Sequence, residues 1–163
     1  MLVQTGEANV HKTAEMEKGI LFGKNVTVWR WSHVSEGTVL GDNVMIGEGV
    51  FIGKNSKIGS DVRIQNGTQI FEGVIIEDRV YIGPNVVFTN VRKPKVDRKA
   101  EKYLETIIKK GASIGANSTV ICGVEVGEGA TILPGTVVHK SIPPKVTACG
   151  NPARIAKQPK YTL

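Results

Sequence analysis

The sequence has few cysteines, few aromatic residues and no long apolar stretch. Two cysteines among 163 residues are too few for a disulfide framework, so we expect reduced thiols and a cytoplasmic protein. Aromatic residues make up 6%, which predicts an aliphatic core. No apolar run approaches the roughly 18 residues of a membrane-spanning helix, and the first residues lack a signal-peptide pattern. We therefore expect no membrane partner and a single domain over residues 1–163.

Glycine and positive charge are both in excess. The 19 glycines do not follow the G-x-y period of collagen. Lysine and arginine total 21 against 15 acidic residues, which gives a formal net charge of +6. Such a charge favours an anionic partner, which is a nucleic acid, an acidic lipid or a phosphate-bearing small molecule.

The dominant pattern is a repeat of six residues. Every sixth residue from position 10 to position 88 is large and apolar: Val10, Met16, Phe22, Val28, Val34, Leu40, Ile46, Ile52, Ile58, Ile64, Ile70, Ile76, Ile82 and Phe88. A period of six fits neither an α-helix nor a heptad, but it fits short extended segments joined by corners rich in Gly, Asn and Asp. Three such units close one coil. The pattern therefore predicts an all-β fold, a parallel β-helix whose coils stack about 4.8 Å apart.

The repeat is interrupted once. It resumes at Ile114, 26 residues after Phe88, and 26 is not a multiple of six. We expect coils over about 10–88 and 111–140, an inserted extended loop at about 89–109 or 110, and a short C-terminal cap over 141–163. Residues 90–110 hold eight Lys and Arg against three acids, a net charge of +5, and such a loop speeds the encounter with anionic ligands.

The residue before each repeat position faces outward, and several of these are apolar: Val39, Met45, Phe51, Ile75 and Tyr81. So many outward apolar side chains predict an assembly, and a cyclic homotrimer fits a three-sided coil. Apolar residues scattered singly over a monomer's surface are the alternative.

Several segments resemble the hexapeptide-repeat acyltransferases, and among them the N-acetyltransferases of nucleotide-linked 3-amino sugars, which serve surface polysaccharide synthesis such as that of lipopolysaccharide. The matching segments are residues 28–34 (VWRWSHV), 64–67 (IQNG), 87–91 (VFTNV), 109–117 (KKGASIGAN) and 150–154 (GNPAR). The resemblance implies a left-handed coil, acetyl-CoA as co-substrate, a nucleotide sugar as substrate, and a homotrimer with sites at its subunit interfaces. Arg30, Gly67 and Phe71 depart from the family's usual His, Asn and Tyr.

The resemblance implies two catalytic residues. His33 is a candidate proton acceptor or substrate ligand, because imidazole titrates near neutral pH; the alternative is a histidine that packs at a subunit interface. Asn90 cannot act as a base, but its amide can hold the sugar or orient the amine; the alternative is an asparagine that turns the chain into the insertion.

Further residues are candidates for ligand binding. The substrate-binding candidates are Trp31, Gln65, Asn66 and Arg92. The cofactor-binding candidates, which offer positive charge or a small side chain beside pantetheine, are Lys110, Gly111, Ala112, Ala130, Lys140 and Arg154. Trp31 can equally pack between subunits.

Other functions remain open or are disfavoured. An O-acetyltransferase acting on a sugar hydroxyl and a non-catalytic β-helix assembly protein are the alternatives. A metalloenzyme is disfavoured because His11, His33 and His139 are too far apart along the coils to share an ion at about 2 Å. No nucleic-acid-binding motif is present, so we expect neither a metal nor a nucleic acid partner.

Overall fold

The computed structural model describes residues 2–5, 8–97 and 103–156. Within these ranges the chain forms short β-strands and no helix. The strands are β1 (Leu2–Thr5), β2 (Ala8–His11), β3 (Glu15–Met16), β4 (Leu21–Phe22), β5 (Val26–Val28), β6 (His33–Val34), β7 (Val39–Leu40), β8 (Met45–Ile46), β9 (Phe51–Ile52), β10 (Lys57–Ile58), β11 (Arg63–Ile64), β12 (Gln69–Ile70), β13 (Val74–Ile76), β14 (Tyr81–Ile82), β15 (Val87–Phe88), β16 (Thr106–Ile108), β17 (Ser113–Ile114), β18 (Thr119–Val120), β19 (Glu125–Val126), β20 (Thr131–Ile132), β21 (Val137–Val138), β22 (Thr147–Cys149) and β23 (Arg154–Ile155).

The strands form three sheets, which are the three faces of a prism. The first face has the order β1-β2-β5-β8-β11-β14-β17-β20-β22-β23, the second runs from β3 through β6, β9, β12, β15 and β18 to β21, and the third runs from β4 through β7, β10, β13 and β16 to β19. Strands on one face pair in parallel, and the repeat positions pair with each other, as Val34 does with Ile52. Antiparallel pairs occur only at the two ends of the first face, within the described residues. The predicted parallel β-helix is therefore confirmed.

Aliphatic side chains fill the prism. The repeat positions point inward, and Ile46, Ile64 and Phe88 are fully buried. The β-branched or small residues at the intervening positions also point inward. Where such a residue is polar, its hydroxyl is hydrogen-bonded to the backbone, as Thr68 Oγ1 donates to Gly83 O at 2.9 Å and Thr106 Oγ1 accepts the N–H of Gly123 at 3.0 Å. The core thus needs no aromatic stack, as the composition predicted.

Three edges join the faces, and we name them by their residues. The Trp edge, between the first and second faces, comprises residues 29–31, 47–49, 65–67, 83–85, 115–117 and 133–135. The insertion edge, between the second and third faces, comprises residues 17–19, 35–37, 53–55, 71–73, 89–91, 121–123 and 139–141. The ladder edge, between the third and first faces, comprises residues 23–25, 41–43, 59–61, 77–79, 109–111, 127–129 and 143–145.

The insertion is shorter than the sequence predicted. Strand β16 pairs with β13 on the third face, so that Ile76 lies beside Ile108. The repeat therefore resumes before the predicted loop end at 109 or 110, and the inserted segment is 89–105. The error arose because the first complete repeat signal after the interruption is Ile114, whereas Ile108 already fills a core position. Residues 98–102, with part of the predicted loop charge, lie outside the described residues.

The C-terminal segment closes the last coil. Ile142 forms a bridge to Val126, β22 joins the end of the first face, and β23 turns back on it in antiparallel pairing. This is the arrangement expected of the predicted cap, of which residues 157–163 lie outside the described part of the chain. None of the described residues forms a helix long and apolar enough to span a membrane.

Candidate functional site

A groove of about 360 Å³ runs along the insertion edge. Its lining residues are Glu17, His33, Ser35, Phe51, Gly53, Lys54, Phe71, Glu72, Asn90 and Tyr103. The two predicted catalytic residues, His33 and Asn90, therefore line one groove although they come from different sequence motifs.

The groove follows the stacking of four coils. Val34, Ile52, Ile70 and Phe88 pair in succession on the second face, so His33 and Asn90 are three coils apart. At a strand spacing of about 4.8 Å, this places them roughly 14 Å apart along the prism. The two residues of one chain are therefore too far apart to contact a single reacting atom.

Aromatic rings form one wall of the groove. His33 and Phe51 are outward residues on paired strands, and their ring centroids lie 5.5 Å apart. Phe71, from the next coil, lies 5.4 Å from Phe51 with an interplanar angle of 50°. Tilted pairs at this distance are favourable. The wall presents an apolar surface of the kind on which a sugar ring can pack.

His33 lies between two carboxylates. Its Nε2 is 2.8 Å from Glu17 Oε1, and its Nδ1 is 3.2 Å from Glu15 Oε2. The other oxygen of Glu17 accepts the backbone N–H of Glu36 at 2.8 Å. Glu17 is thereby fixed, whereas the Glu15 side chain is 74% exposed. Each nitrogen of His33 thus has a carboxylate neighbour, and the one facing Glu17 is the more firmly held.

The same contacts act on Glu17. The N–H of Glu36 and the His33 ring stabilise the ionised carboxylate, and together they hold the pKa of Glu17 below its usual value. Glu17 remains an anion at neutral pH and keeps its contact with His33. Glu17 stands at the first corner residue, where several other repeats have Gly, such as Gly23, Gly41 and Gly59, and this departure is its signal in the sequence.

Two carboxylates and one ammonium group line the groove. Lys54 is paired with Glu36 at 3.6 Å, and Glu17 is engaged by His33. The Glu72 side chain is half-buried, and it makes no hydrogen bond or ion pair with the described residues. The groove is therefore slightly acidic, although the chain as a whole is basic.

Tyr103 and Leu104 bring the insertion back onto the prism. A Cβ built on Gly73 would lie 3.3 Å from Leu104 O and 3.4 Å from Tyr103 Cβ, and one on Gly123 would lie 3.1 Å from Leu104 Cδ1. Two glycines thus make room for this segment. Tyr103 and Glu72 also line a second pocket of about 340 Å³ on the third face. Tyr103 was not among the predicted site residues, and its signal in the sequence is an aromatic–leucine pair within a charged loop.

Three of the predicted substrate-binding residues lie on the Trp edge, outside the groove. Trp31 is 66% exposed and has a φ of 59°, an uncommon left-handed conformation for a bulky residue. The Arg30 guanidinium lies 5.6 Å from its ring centroid. Gln65 is half-buried, and Asn66 Oδ1 accepts the N–H of Glu48 at 2.9 Å.

The departures from the family pattern are also divided. Phe71 lines the groove, whereas Arg30 and Gly67 lie on the Trp edge. Arg92, the fourth substrate candidate, is exposed in the insertion and is not a lining residue of the groove.

The predicted cofactor residues do not converge within one chain. Lys110 and Gly111 lie on the ladder edge, where the N–H of Lys110 donates to Glu77 Oε2 at 3.0 Å. Lys140 is exposed on the insertion edge, beyond the groove, and Arg154 is exposed in β23. A ligand that contacts all of these residues would have to lie between two chains.

For two residues, the prediction of a cofactor contact at the protein surface is wrong. Ala112 and Ala130 are fully buried, and their methyl groups pack in the core. Their backbone N–H groups donate to Lys109 O and Gly127 O, both at 3.1 Å. A small side chain does not imply an open surface here, because both positions belong to the inward series of the repeat.

His139 lies on the insertion edge two coils beyond Asn90. Its Nδ1 is buried and has no hydrogen-bond partner in the described part of the chain. A buried polar atom without a partner is unusual.

No group of three His, Cys, Asp or Glu residues that could hold a metal ion occurs in residues 2–5, 8–97 and 103–156.

A family model for the bacterial transferase hexapeptide (six repeats) matches residues 19–54, 55–90 and 105–140. The chain belongs to the bacterial transferase hexapeptide family. The third matched segment begins at 105, as the return of the repeat in the structure requires. The family resemblance inferred from the sequence is confirmed.

Curated relatives match parts of this hexapeptide-family chain. One is a dTDP-3-amino-3,6-dideoxy-alpha-D-galactopyranose 3-N-acetyltransferase of Aneurinibacillus thermoaerophilus, 53% identical over 55 residues, which are 34% of this chain and 29% of the relative. Another is a serine acetyltransferase of Salmonella typhimurium, 39% identical over 84 residues, 52% of this chain and 29% of the relative. The matches span less than a third of the length of these relatives.

Solved structures share the fold. A hexapeptide-repeat-containing acetyltransferase of Vibrio cholerae complexed with acetyl coenzyme A has a TM-score of 0.63 and 25% identity, over 77% of this chain and 72% of that one. The acetyltransferase domain of PglB from Neisseria gonorrhoeae, also in complex with acetyl coenzyme A, has a TM-score of 0.61 and 20% identity, over 92% and 58%. The second likeness concerns the fold alone.

Proposed function

We propose that this chain transfers an acetyl group from acetyl-CoA to the amino group of a nucleotide-diphosphate-linked amino sugar, with the amine at carbon 3, for surface polysaccharide synthesis. The observation that carries the proposal is the groove on the insertion edge, which joins His33, Asn90, two carboxylates and two phenyl rings. The segment that is 53% identical to a 3-N-acetyltransferase of a dTDP-linked amino sugar supports the choice of acceptor.

The two ends of the groove have different tasks in this proposal. A nucleotide sugar is long enough to span the roughly 14 Å between them. The Asn90 amide donates to or accepts from the sugar and orients it. His33, with its ring held by Glu17 at 2.8 Å, binds the end of the substrate that lies away from the acyl donor.

The acyl donor occupies the part of the insertion edge beyond Asn90. Lys140 is exposed there and supplies positive charge for a phosphate of CoA. Lys110, Gly111 and Arg154 reach the same CoA only from a neighbouring subunit, so the proposal includes a homotrimer with sites at its interfaces. The outward apolar side chains of each chain supply apolar area for that interface. Among them, Leu21 is 64% exposed and Val39 is 39% exposed. We place this activity in the cytoplasm, without metal or nucleic acid.

A second candidate function is acetylation of a sugar hydroxyl. It is favoured by the carboxylates that flank His33 at 2.8 and 3.2 Å, because a carboxylate that orients a histidine is the arrangement of a general base. A hydroxyl needs such a base more than an amine does, and in this alternative the acyl donor would lie beside His33 and not beyond Asn90. Replacement of His33 by alanine should therefore nearly abolish O-acetylation and spare much of N-acetylation.

The test is release of CoA thiol from acetyl-CoA in the presence of UDP- and dTDP-linked amino sugars and their hydroxyl counterparts. We expect turnover with at least one amino sugar and a product that survives mild alkali, since amides resist the treatment that cleaves esters. Thiol release only with hydroxyl acceptors would select the O-acetyltransferase. If no acceptor in the panel caused thiol release, although the protein was folded and acetyl-CoA was present, both acetyltransferase functions would be contradicted. The non-catalytic assembly protein would then be the function that is left.

A further inference from the structure

Glu72 is a groove carboxylate whose charge the described structure leaves uncompensated. Its side chain is half-buried, and no described hydrogen bond or ion pair involves it. The other groove acid, Glu17, has both of its oxygens engaged, by His33 and by the N–H of Glu36. Placing a carboxylate partly out of water without a partner is unfavourable, so a cationic ligand would relieve this cost.

Glu72 is also the carboxylate of the groove that stands next to Asn90. Ile70 pairs with Phe88, and Glu72 and Asn90 each follow their repeat position by two residues. They therefore stack on adjacent coils of the insertion edge, about 4.8 Å apart in the strand-stacking direction. Lys54 occupies the equivalent place one coil further on, but it is paired with Glu36 at 3.6 Å.

Glu72 lies at the boundary between two cavities. It lines both the groove that contains His33 and Asn90 and the second pocket on the third face, and Tyr103 shares this position. Phe51 and Phe71 supply the apolar wall next to it. A ligand group bound here has a carboxylate, an amide and an aromatic surface within reach, which suits one protonated amine on a sugar ring.

We propose that Glu72 is the specificity residue of this site, and that its carboxylate binds the acceptor as an ammonium ion and takes the proton that the nitrogen must lose. This inference rests on the proposed function. It explains how a chain with a basic net charge of +6 selects a substrate that is anionic at its diphosphate and cationic at its reacting nitrogen.

The proton and electron balance is simple. The ammonium gives one proton to the Glu72 carboxylate, and the freed nitrogen lone pair attacks the thioester carbon. The carbon–sulfur bond then breaks, and the CoA thiolate leaves with the electron pair and takes the second proton from nitrogen. Glu72 returns its proton to water. The products are the amide, the free thiol of CoA and one released proton.

The experiment compares two ligands on four proteins. The ligands are dTDP-3-amino-3,6-dideoxy-α-D-galactopyranose and dTDP-6-deoxy-α-D-galactopyranose, which differ by an amine against a hydroxyl at carbon 3. The proteins are the wild type, Glu72→Gln, Glu72→Asp and the control Glu128→Gln, which removes the same charge from an exposed residue of the ladder edge. Dissociation constants are measured by calorimetry, and thermal unfolding checks that each variant folds.

We expect the wild type and Glu128→Gln to bind the amine ligand at least about tenfold more tightly than the hydroxyl ligand, the size of one charge-assisted hydrogen bond. Glu72→Gln should reduce this ratio to near one by weakening only the amine ligand, and Glu72→Asp should restore part of it. A structural role for Glu72 would weaken both ligands alike.

An unchanged ratio in Glu72→Gln overturns the proposal, as does a wild type that binds both ligands equally or neither. Binding is measured without turnover, so the result is separate from that of the acetyl-transfer assay. If the protein prefers the amine ligand through Glu72 but releases no CoA thiol in the transfer assay, this inference stands and the proposed reaction is refuted.

Discussion

The ladder edge and the insertion edge are built from the same six-residue repeat, yet they differ in what their side chains contact. On the ladder edge, Asn43 accepts from Asn25 at 3.1 Å and donates to Asp61 at 2.9 Å, so that neighbouring coils satisfy each other. On the insertion edge, Glu17, Phe71 and Glu72 face a groove. Regular corners thus satisfy each other's side chains, and departures from regularity leave side chains that line a groove.

Glycine shows why the departures are costly. A Cβ on Gly59, on the ladder edge, would lie 2.6 Å from the backbone nitrogen of Asp78, so a side chain at this corner position needs local adjustment. The insertion edge nevertheless has Glu17 and Phe71 at the corresponding positions. Glu17 and Phe71 thus occupy space that glycine leaves open at other corners, and both line the groove.

The largest expected effect is on the free energy of unfolding of the whole prism, because the two edges enclose one hydrophobic core. Ile70 is fully buried under the groove, and Ile70→Ala should lower the free energy of unfolding by about 2–5 kcal/mol, since it removes buried methylenes and leaves a cavity. Urea denaturation measures the change. Ile155→Ala removes the same atoms from a residue that is 53% exposed and should cost far less; equal losses would contradict the assigned core.

The second prediction separates the two edges. Asn90→Ala should lower kcat/KM for acetyl transfer by roughly 10- to 100-fold, through loss of an orienting hydrogen bond, and leave unfolding nearly unchanged. Asn43→Ala should do the opposite. It places alanine at a φ of 57° and removes two side-chain hydrogen bonds, at a cost of about 1–3 kcal/mol.

Paired kinetics and thermal unfolding of these two asparagine variants decide the point. If Asn43→Ala lost activity per folded molecule as severely as Asn90→Ala, the division between a stabilising edge and a functional edge would be wrong.

The third prediction concerns the return of the insertion. Gly73→Ala would bring a methyl group to 3.3 Å from Leu104 O at a φ of 93°, whereas Gly135→Ala, at a φ of 72°, would meet nothing within 4 Å. Both variants carry backbone strain of about 1–2 kcal/mol. Only Gly73→Ala should also displace Tyr103 and raise KM for the sugar severalfold. A KM that rises equally in Gly135→Ala would show that strain alone is responsible.

The regular part of the fold was predictable because each repeat position has a large apolar residue, which indicates that the position faces the core. Val34, Ile52 and Ile70 follow a period that only a coil explains, and the structure pairs them in the expected order. The interruption was less well predicted, since Ile108 stands alone as a repeat signal between the charged loop and Ile114. One apolar residue at a repeat position also occurs by chance. The strand that contains Ile108, β16, pairs with β13, which lies 32 residues earlier in the sequence.

The site was predictable only in part. His33 and Asn90 were proposed through motifs, and their separation by three coils follows from the repeat period, but the groove that they share also needs Tyr103 from the insertion. Glu72 and Tyr103 gave no motif signal, because a carboxylate without a partner is visible only when its surroundings are known. Ala112 was misjudged for a different reason: its small size suggested an open surface, although its place in the repeat assigns it to the inward series.

The smallest expected effect tests an ion pair at the ladder edge. Lys109 Nζ donates to Glu77 Oε1 at 2.9 Å, which lowers the pKa of Glu77 and raises that of Lys109. The pair therefore stabilises the fold at neutral pH. Its contribution is lost in acid as pH falls through the lowered pKa of Glu77, and in alkali as pH rises through the raised pKa of Lys109.

Glu77→Gln should accordingly lower Tm by at most about 2 °C at neutral pH, because half-exposed pairs contribute little. The difference from wild type should shrink as pH falls below 4.5, the ordinary pKa of this group, and vanish once Glu77 is protonated in the folded state. Thermal unfolding from about pH 3 to pH 9 measures it, with Glu128→Gln as a control for loss of charge alone. A difference that grew in acid would have the wrong sign for this pair and would point to a destabilising role of the Glu77 carboxylate.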